Sequence, residues 1–102
     1  MDLRATLQDL ANFLERYGDD KWAPILRQKY AFVAVDCKVL RELKGMFGGW
    51  GSLTDLAIAR GNGHLVADLD ETRQVNKELS RLRSKLYATI KELMSDFGCD
   101  GR

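Results

Sequence analysis

The stretch "VNKELSRLRSKLYATIKELMSDF", residues 75–97, decides the fold. Its apolar residues recur every three or four positions and so form one line along a helix. Asp68 and Glu71 upstream have the spacing of a capping box, and Gly98 follows at the other end. The pattern predicts a long helix whose seam is either a core face or a dimer surface. The seam residues are Val75, Leu79, Leu82, Leu86, Ile90, Leu93 and Phe97.

A second helical pattern opens the chain, with its apolar face at Leu3, Leu7, Leu10, Leu14 and Tyr17. Gly18 follows where a left-handed helix cap belongs. Asp19 and Asp20 then offer an N-cap for a second helix, with Pro24 in its first turn. The apolar run "AFVAV" at 31–35 is either a buried helical turn or a break before a third helix capped by Asp36. We favour helix, with a kink or short break near residues 34–36.

A glycine-rich segment, residues 45–67, separates these patterns from the last helix. Gly48 is expected to end a helix with a positive φ, while Gly49 and Gly51 free the backbone on both sides of Trp50. Asn62-Gly63 is a strong hairpin turn signal and predicts pairing of residues 56–59 with residues 64–67. The predicted fold is therefore a single mainly α domain over residues 1–102. It is an antiparallel bundle of three to four helices with one small β-hairpin.

The same segment holds the residues that invite a catalytic interpretation. Asp55 and His64 form a candidate acid–base pair, and Ser52 is the nearest nucleophile, but no nucleophile elbow surrounds it. A lone histidine is a poor metal ligand, and no phosphate-binding loop pattern is present. We expect no enzyme activity, no metal and no cofactor. Trp50 is either an exposed anchor for a partner or a lid over the core.

A basic stripe runs along the last helix, where Arg73, Lys77, Arg81 and Lys85 stand four residues apart. It is a solvated face, a docking strip for an acidic or phosphate-bearing partner, or a surface that pairs with the acidic first helix. Nucleic acid is the weaker reading, because no known nucleic-acid-binding module is recognisable.

Composition restricts the class of protein further. The formal net charge of +1 creates no overall field toward nucleic acid or membrane. Cys37 and Cys99 are too few for a disulfide scaffold, so we expect two free thiols in a reducing cytoplasm. The start of the chain has the pattern of an amphipathic helix rather than a leader peptide, and no apolar run approaches the roughly 20 residues that span a bilayer.

The motif "FGGWGSLTDLAI" at 47–58, with "NGH" at 62–64 and "LRSKLYATIKELM" at 82–94, resembles a family of small bacterial proteins of unassigned function. Members carry a stretch like FGGMGSLNDL, and "ERYGDDKWAPIL" at 15–26 is similar to their YG-x-x-x-W segment. The resemblance covers nearly the whole chain. Trp50 stands where Met is usual, and Thr54 where Asn is usual.

The resemblance implies a small cofactor-free helical protein, a type often found as the immunity partner of a bacterial toxin. We therefore expect a cytoplasmic protein that neutralises a cognate toxin by direct binding, with a homodimer as a further oligomeric alternative. A regulatory or nucleic-acid-associated protein that uses the basic stripe is the rival hypothesis. The candidate contact residues are Asp19, Asp20, Trp50, Ser52, Asp55, His64, Arg73, Lys77, Arg81 and Lys85.

Overall fold

The computed structural model describes residues 2–30, 34–48 and 52–99, without the side chains of Lys29 and Asp55. The described chain is mainly helical, as predicted. Its α-helices are α1 (Leu3–Arg16), α2 (Trp22–Pro24), which continues as a π-helical segment (Ile25–Tyr30), α3 (Cys37–Gly45) and α4 (Leu69–Asp96). Two 3₁₀ turns, Leu53–Asp55 and Arg60–Asn62, lie between α3 and α4.

The long helix α4 organises the molecule. It has 28 residues and matches the longest dimension of the protein, 44 Å. Its seam from Val75 to Ile90 is buried in one cluster with residues of α1 and α3, so this part of the predicted seam is core and not a dimer surface. Phe97, the last residue of the predicted seam, is 48% exposed.

The helix ends follow the local signals in the sequence. Gly18 has φ +80°, and the N–H groups of Gly18 and Asp19 donate to the carbonyls of Glu15 and Leu14, which closes α1 in a Schellman motif. The Asp19 carboxylate then accepts the N–H of Trp22 at 2.7 Å and so caps the start of α2. The left-handed cap at Gly18 is confirmed, and Asp19 supplies the capping carboxylate of α2 although Lys21 holds the N-cap position itself.

The starts of α3 and α4 are also capped as predicted. Residues 34–36 are not helical, and Asp36 accepts the N–H of Val39 at 2.8 Å, so the chain breaks before a third helix. Residues 31–33 lie outside the described residues. Asp68 accepts the N–H of Glu71 at 2.8 Å, while the Glu71 carboxylate accepts the N–H of Ala67 rather than that of Asp68.

The predicted β-hairpin is wrong, because residues 2–30, 34–48 and 52–99 contain no β-strand. Gly63 does form a tight turn with φ +86°. The flanking segments share one backbone hydrogen bond, from the N–H of His64 to the carbonyl of Ala59, but they do not continue it into a ladder. Ile58 exchanges two hydrogen bonds with the Asn76 side chain on α4, and the N–H of Leu65 donates to the carbonyl of Tyr17. These partners replace the strand partners that a hairpin requires.

The expected role of Gly48 is also wrong. Helix α3 ends at Gly45, so Gly48 lies beyond it, and the φ of Gly48 is not positive. A Cβ atom placed on Gly48 would meet no atom of the other described residues within 4 Å, apart from its chain neighbours. The N–H groups of Met46 and Phe47 instead donate to the carbonyls of Leu43 and Lys44, respectively, and end the helix without a left-handed residue. Gly49 and Gly51 lie outside the described residues.

The two cysteines form a disulfide, so the prediction of two free thiols is wrong. Cys37 is the first residue of α3 and Cys99 follows α4, and their Cα atoms are 5.4 Å apart. The other end of α3 meets α4 near Tyr87, so the two helices run antiparallel. Gly98, with φ +69°, and the hydrogen bond from the N–H of Cys99 to the carbonyl of Met94 turn the chain back toward α3.

None of the described helices has the length and apolar character needed to cross a membrane.

Candidate functional site

His64 lies in a buried polar cluster beside the start of α2. Its Nε2 atom is 3.5 Å from Asp19 Oδ1, and both side chains are 5% exposed. Its Nδ1 atom accepts the backbone N–H of Ala59 at 3.2 Å. A ring nitrogen that accepts a hydrogen bond carries no proton, so Nε2 is the donor nitrogen of this ring and it faces the Asp19 carboxylate.

This geometry replaces the predicted pairing of His64 with Asp55. The carboxylate beside the imidazole belongs to Asp19, and the side chain of Asp55 lies outside the described residues. The second oxygen of Asp19 accepts the N–H groups of Trp22 and Ala23 at 2.7 and 2.9 Å. One carboxylate therefore connects the loop that holds His64 to the start of a helix.

Ser52 borders the same pocket, which has a volume of about 370 Å³. The side chain is buried, and its Oγ atom has no hydrogen-bond partner within the described parts of the chain. A serine nucleophile needs a base that accepts its proton. The acceptor nitrogen of His64 is already engaged by Ala59, and the other nitrogen donates toward Asp19. The cluster has the chemistry of a structural link rather than of a catalytic triad.

Asp20 lines the rim of this pocket and is exposed. Its neighbour Lys21 places its ammonium 5.2 Å from the centre of the Trp22 ring. In the ranges that the structure covers, no group of three or more His, Cys, Asp or Glu side chains is arranged to hold a metal ion.

The predicted basic stripe on α4 is partly paired with carboxylates of its own helix. Arg81 makes two hydrogen bonds to Glu78, at 2.8 and 2.6 Å, and Arg73 lies 3.6 Å from Asp70. The hydrogen bond from Arg81 lowers the pKa of Glu78, and the same bond raises the pKa of Arg81. The stripe is therefore an alternation of charges rather than a continuous cationic line.

A larger groove lies between the end of α3 and the middle of α4. Its volume is about 740 Å³. The floor is formed by Phe47 and Tyr87, whose ring centres are 5.0 Å apart at an angle of 59°. The ammonium of Lys91 lies 5.7 Å from the centre of the Tyr87 ring. The full lining is Lys44, Phe47, Gly48, Thr54, Ser80, Arg83, Ser84, Tyr87, Ala88 and Lys91.

Arg83 holds one wall of the groove in place. Its Nη1 atom donates to the carbonyls of Leu53, Thr54 and Leu56 at 3.0, 3.1 and 2.7 Å. These bonds fasten the 3₁₀ turn Leu53–Asp55, which lies within the glycine-rich segment, to α4. Burial lowers the pKa of Arg83, but an arginine pKa is so far above neutrality that the guanidinium stays charged.

The sequence pattern could predict only some of the residues that line the groove. Arg83, Tyr87 and Lys91 stand four residues apart, which places them on a second line of α4, with Arg83 on the opposite side of the helix from Arg81 and Lys85. Lys44 and Phe47 come from the end of α3, and no spacing rule connects them to α4. Trp50 lies outside the described residues.

The comparison with known families concerns about half of the chain. Residues 15–67 match the model of a domain of unknown function, DUF6966. That part contains Asp19, Ser52 and His64, whereas the α4 wall of the groove lies beyond it. The match does not bear on the FGGMGSLNDL-like motif, which stays a resemblance. No curated protein and no solved structure matches the chain significantly. Because the matched residues make up more than half of its length, the chain belongs to the DUF6966 family.

Proposed function

We propose that this chain is a non-catalytic protein-binding module that neutralises a cognate bacterial toxin by direct contact. The observation that carries the proposal is the open groove between α3 and α4, with two aromatic rings on its floor and lysines at its sides. Aromatic side chains within a polar rim are typical of the residues that dominate protein interfaces. The toxin as partner comes from the resemblance to small bacterial proteins of the immunity type.

The buried cluster at His64 supports a binding role over a catalytic one. Its two ring nitrogens are used to join Ala59 and Asp19, so neither is available to activate Ser52. A neutralising protein needs a stable surface and no chemistry of its own, because it acts by covering its target.

The test begins with the tagged protein purified from its source cell and the bound partner identified by mass spectrometry. That partner is then expressed alone and together with this chain. We expect growth arrest from the partner alone, restored growth on co-expression and a stoichiometric complex. A partner that is harmless when expressed alone, or the absence of any stoichiometric partner, contradicts the proposal.

Two phenylalanines provide a matched pair of variants for this test. Phe47→Ala removes part of the groove floor and should weaken the complex by about tenfold or more, because interface aromatics carry much of the binding energy. Phe97→Ala removes an exposed ring beyond the end of α4 and should leave the affinity unchanged. Thermal unfolding of both variants separates lost contact from lost fold.

The rival function, nucleic-acid association through the basic stripe, has weaker support. Arg73 and Arg81 both have a carboxylate within the same helix, which leaves Lys77 and Lys85 as the cations without an ion pair among the described residues. Phosphate binding through the stripe would fall steeply with salt and would be abolished by reversing these charges.

The cytoplasmic location stays a prediction. Free thiols were part of its basis, and the bond between Cys37 and Cys99 removes that support, because disulfides persist mainly in oxidising compartments. Rapid alkylation of thiols in the source cell, followed by mass spectrometry, would show alkylated cysteines in a cytoplasmic protein and an intact disulfide in an oxidising compartment.

A further inference from the structure

We infer that the groove between α3 and α4 receives an acidic segment of the partner protein, with an aromatic or large aliphatic side chain flanked by carboxylates. This inference rests on the proposed binding function and specifies which part of a partner the chain recognises. The occupant follows from the charge of the groove, its floor and its size.

Among the described residues that line the groove, the charged side chains are all cations: Lys44, Arg83 and Lys91. Arg83 is engaged by three backbone carbonyls, whereas the ammonium groups of the two lysines have no carboxylate partner among the described residues. The groove between α1 and α4 near Tyr17 differs, because its lining combines Arg16 with Asp70, Glu71, Glu78 and other residues. An acidic segment is therefore the complement that the α3–α4 groove can neutralise.

The aromatic rings of Phe47 and Tyr87 favour an apolar side chain at the centre of the acidic segment. Phe47 is packed against the core, and Tyr87 lies against it with its ring tilted. A side chain laid on these rings would displace water from apolar surface, while carboxylates on either side reach toward Lys44 and Lys91. The volume of about 740 Å³ is that of a pocket for a few side chains and not for a folded domain.

A free phosphate or a nucleic acid fits the groove less well. Binding to a phosphate backbone draws its strength from several cations that each neutralise a phosphate. The described lining of this groove contains two lysines without a carboxylate partner, and Phe47 and Tyr87 line it together with them. The apolar part of the site would then contribute nothing.

The test is a selection of a random dodecapeptide display library against the immobilised protein. The selected peptides are then synthesised and titrated into ¹⁵N-labelled protein. We expect net-acidic sequences that share an aromatic or large aliphatic residue, and amide shifts centred on Phe47, Ser84, Tyr87 and Lys91. Affinity should fall when salt is raised from about 50 to about 500 mM, because the flanking contacts are solvent-exposed.

Two double variants with equal changes in charge localise the binding. Lys44→Glu with Lys91→Glu should weaken the selected peptide by about tenfold or more. Lys77→Glu with Lys85→Glu, on the basic stripe, should leave its affinity within about twofold of the parent, since these lysines do not line the groove. Equal melting temperatures for both variants exclude a loss of fold as the cause.

Three results would overturn the inference: neutral or basic consensus sequences, peptides that bind the groove variant as tightly as the parent, or no peptide with Kd below about 1 mM. Competition by inorganic phosphate at the concentration of the peptide would likewise identify a small-anion site and overturn it. If the groove variant still binds and neutralises the cognate partner, the groove inference fails while the proposed function stands. If no partner is found but the acidic peptides bind as expected, the proposed function fails while the preference of the groove for acidic segments stands.

Discussion

The disulfide between Cys37 and Cys99 leads to a quantitative prediction about stability. The two residues are separated by 62 positions in sequence, so the bond closes a large loop in the unfolded chain. The loss of loop entropy for a closed loop of that length corresponds to about 4 kcal/mol near room temperature. A domain of this size has a total free energy of unfolding of roughly 5–15 kcal/mol, so the bond supplies a substantial share.

The perturbation is the double variant Cys37→Ala with Cys99→Ala, which leaves no unpaired thiol. We expect urea unfolding at neutral pH to give a free energy lower by about 4 kcal/mol than that of the oxidised parent. Part of the loss could come from the vacated side-chain positions, because Cys99 is only 4% exposed. The parent reduced with dithiothreitol keeps both cysteines and serves as the control for that contribution.

A loss below about 1 kcal/mol in both the double variant and the reduced parent would refute the reasoning, because the loop-closure contribution would then be absent. Hydrogen exchange provides a second readout. Without the bond, amides at the start of α3 and the end of α4 should lose protection first, since the bond joins these two ends.

Three further predictions concern the loop and its attachments. Gly18→Ala should lower the free energy of unfolding by about 1–2 kcal/mol, because φ is +80° and the new Cβ would lie 3.0 Å from the Leu65 side chain. In the same urea titration, the control Gly48→Ala should change this free energy by less than about 0.5 kcal/mol. Equal losses in the two variants would contradict the prediction. Arg83→Met should lower the free energy of unfolding by about 1–3 kcal/mol, because three carbonyls lose a hydrogen bond from the guanidinium. An unchanged urea midpoint would disprove the anchoring role of Arg83. Ser52→Ala should leave the melting temperature equal or higher, since its Oγ has no hydrogen-bond partner among the described residues. A clear drop would show that the hydroxyl makes a stabilising hydrogen bond.

The errors at the glycine-rich segment have a common physical origin. Asn62-Gly63 does turn the chain, but a hairpin also requires that the flanking backbone groups find each other. Here Asn76 on α4 takes both backbone groups of Ile58, and Tyr17 accepts the N–H of Leu65. These partners lie far away in sequence, so no local pattern could reveal that they would compete with strand pairing.

At the candidate site, too, residue types were predictable from the sequence but their partners were not. His64 was identified from its residue type and its place beside a turn, but its partner Asp19 lies 45 positions away, and the predicted partner Asp55 was chosen only for proximity in sequence. The two cysteines were known, yet their pairing depended on the antiparallel packing of α3 and α4.

Local physics in the sequence was sufficient for the helices, their caps at Gly18, Asp36 and Asp68, and the buried seam from Val75 to Ile90, because each depends on side chains within about one or two helical turns. Only the tertiary structure decided that the loop would hold no strand, that Cys37 would meet Cys99, and that Phe47 and Tyr87 would form the floor of one groove. Those outcomes depend on which helix faces are brought together by burial of the common core. That choice is made by the whole chain and not by any one segment.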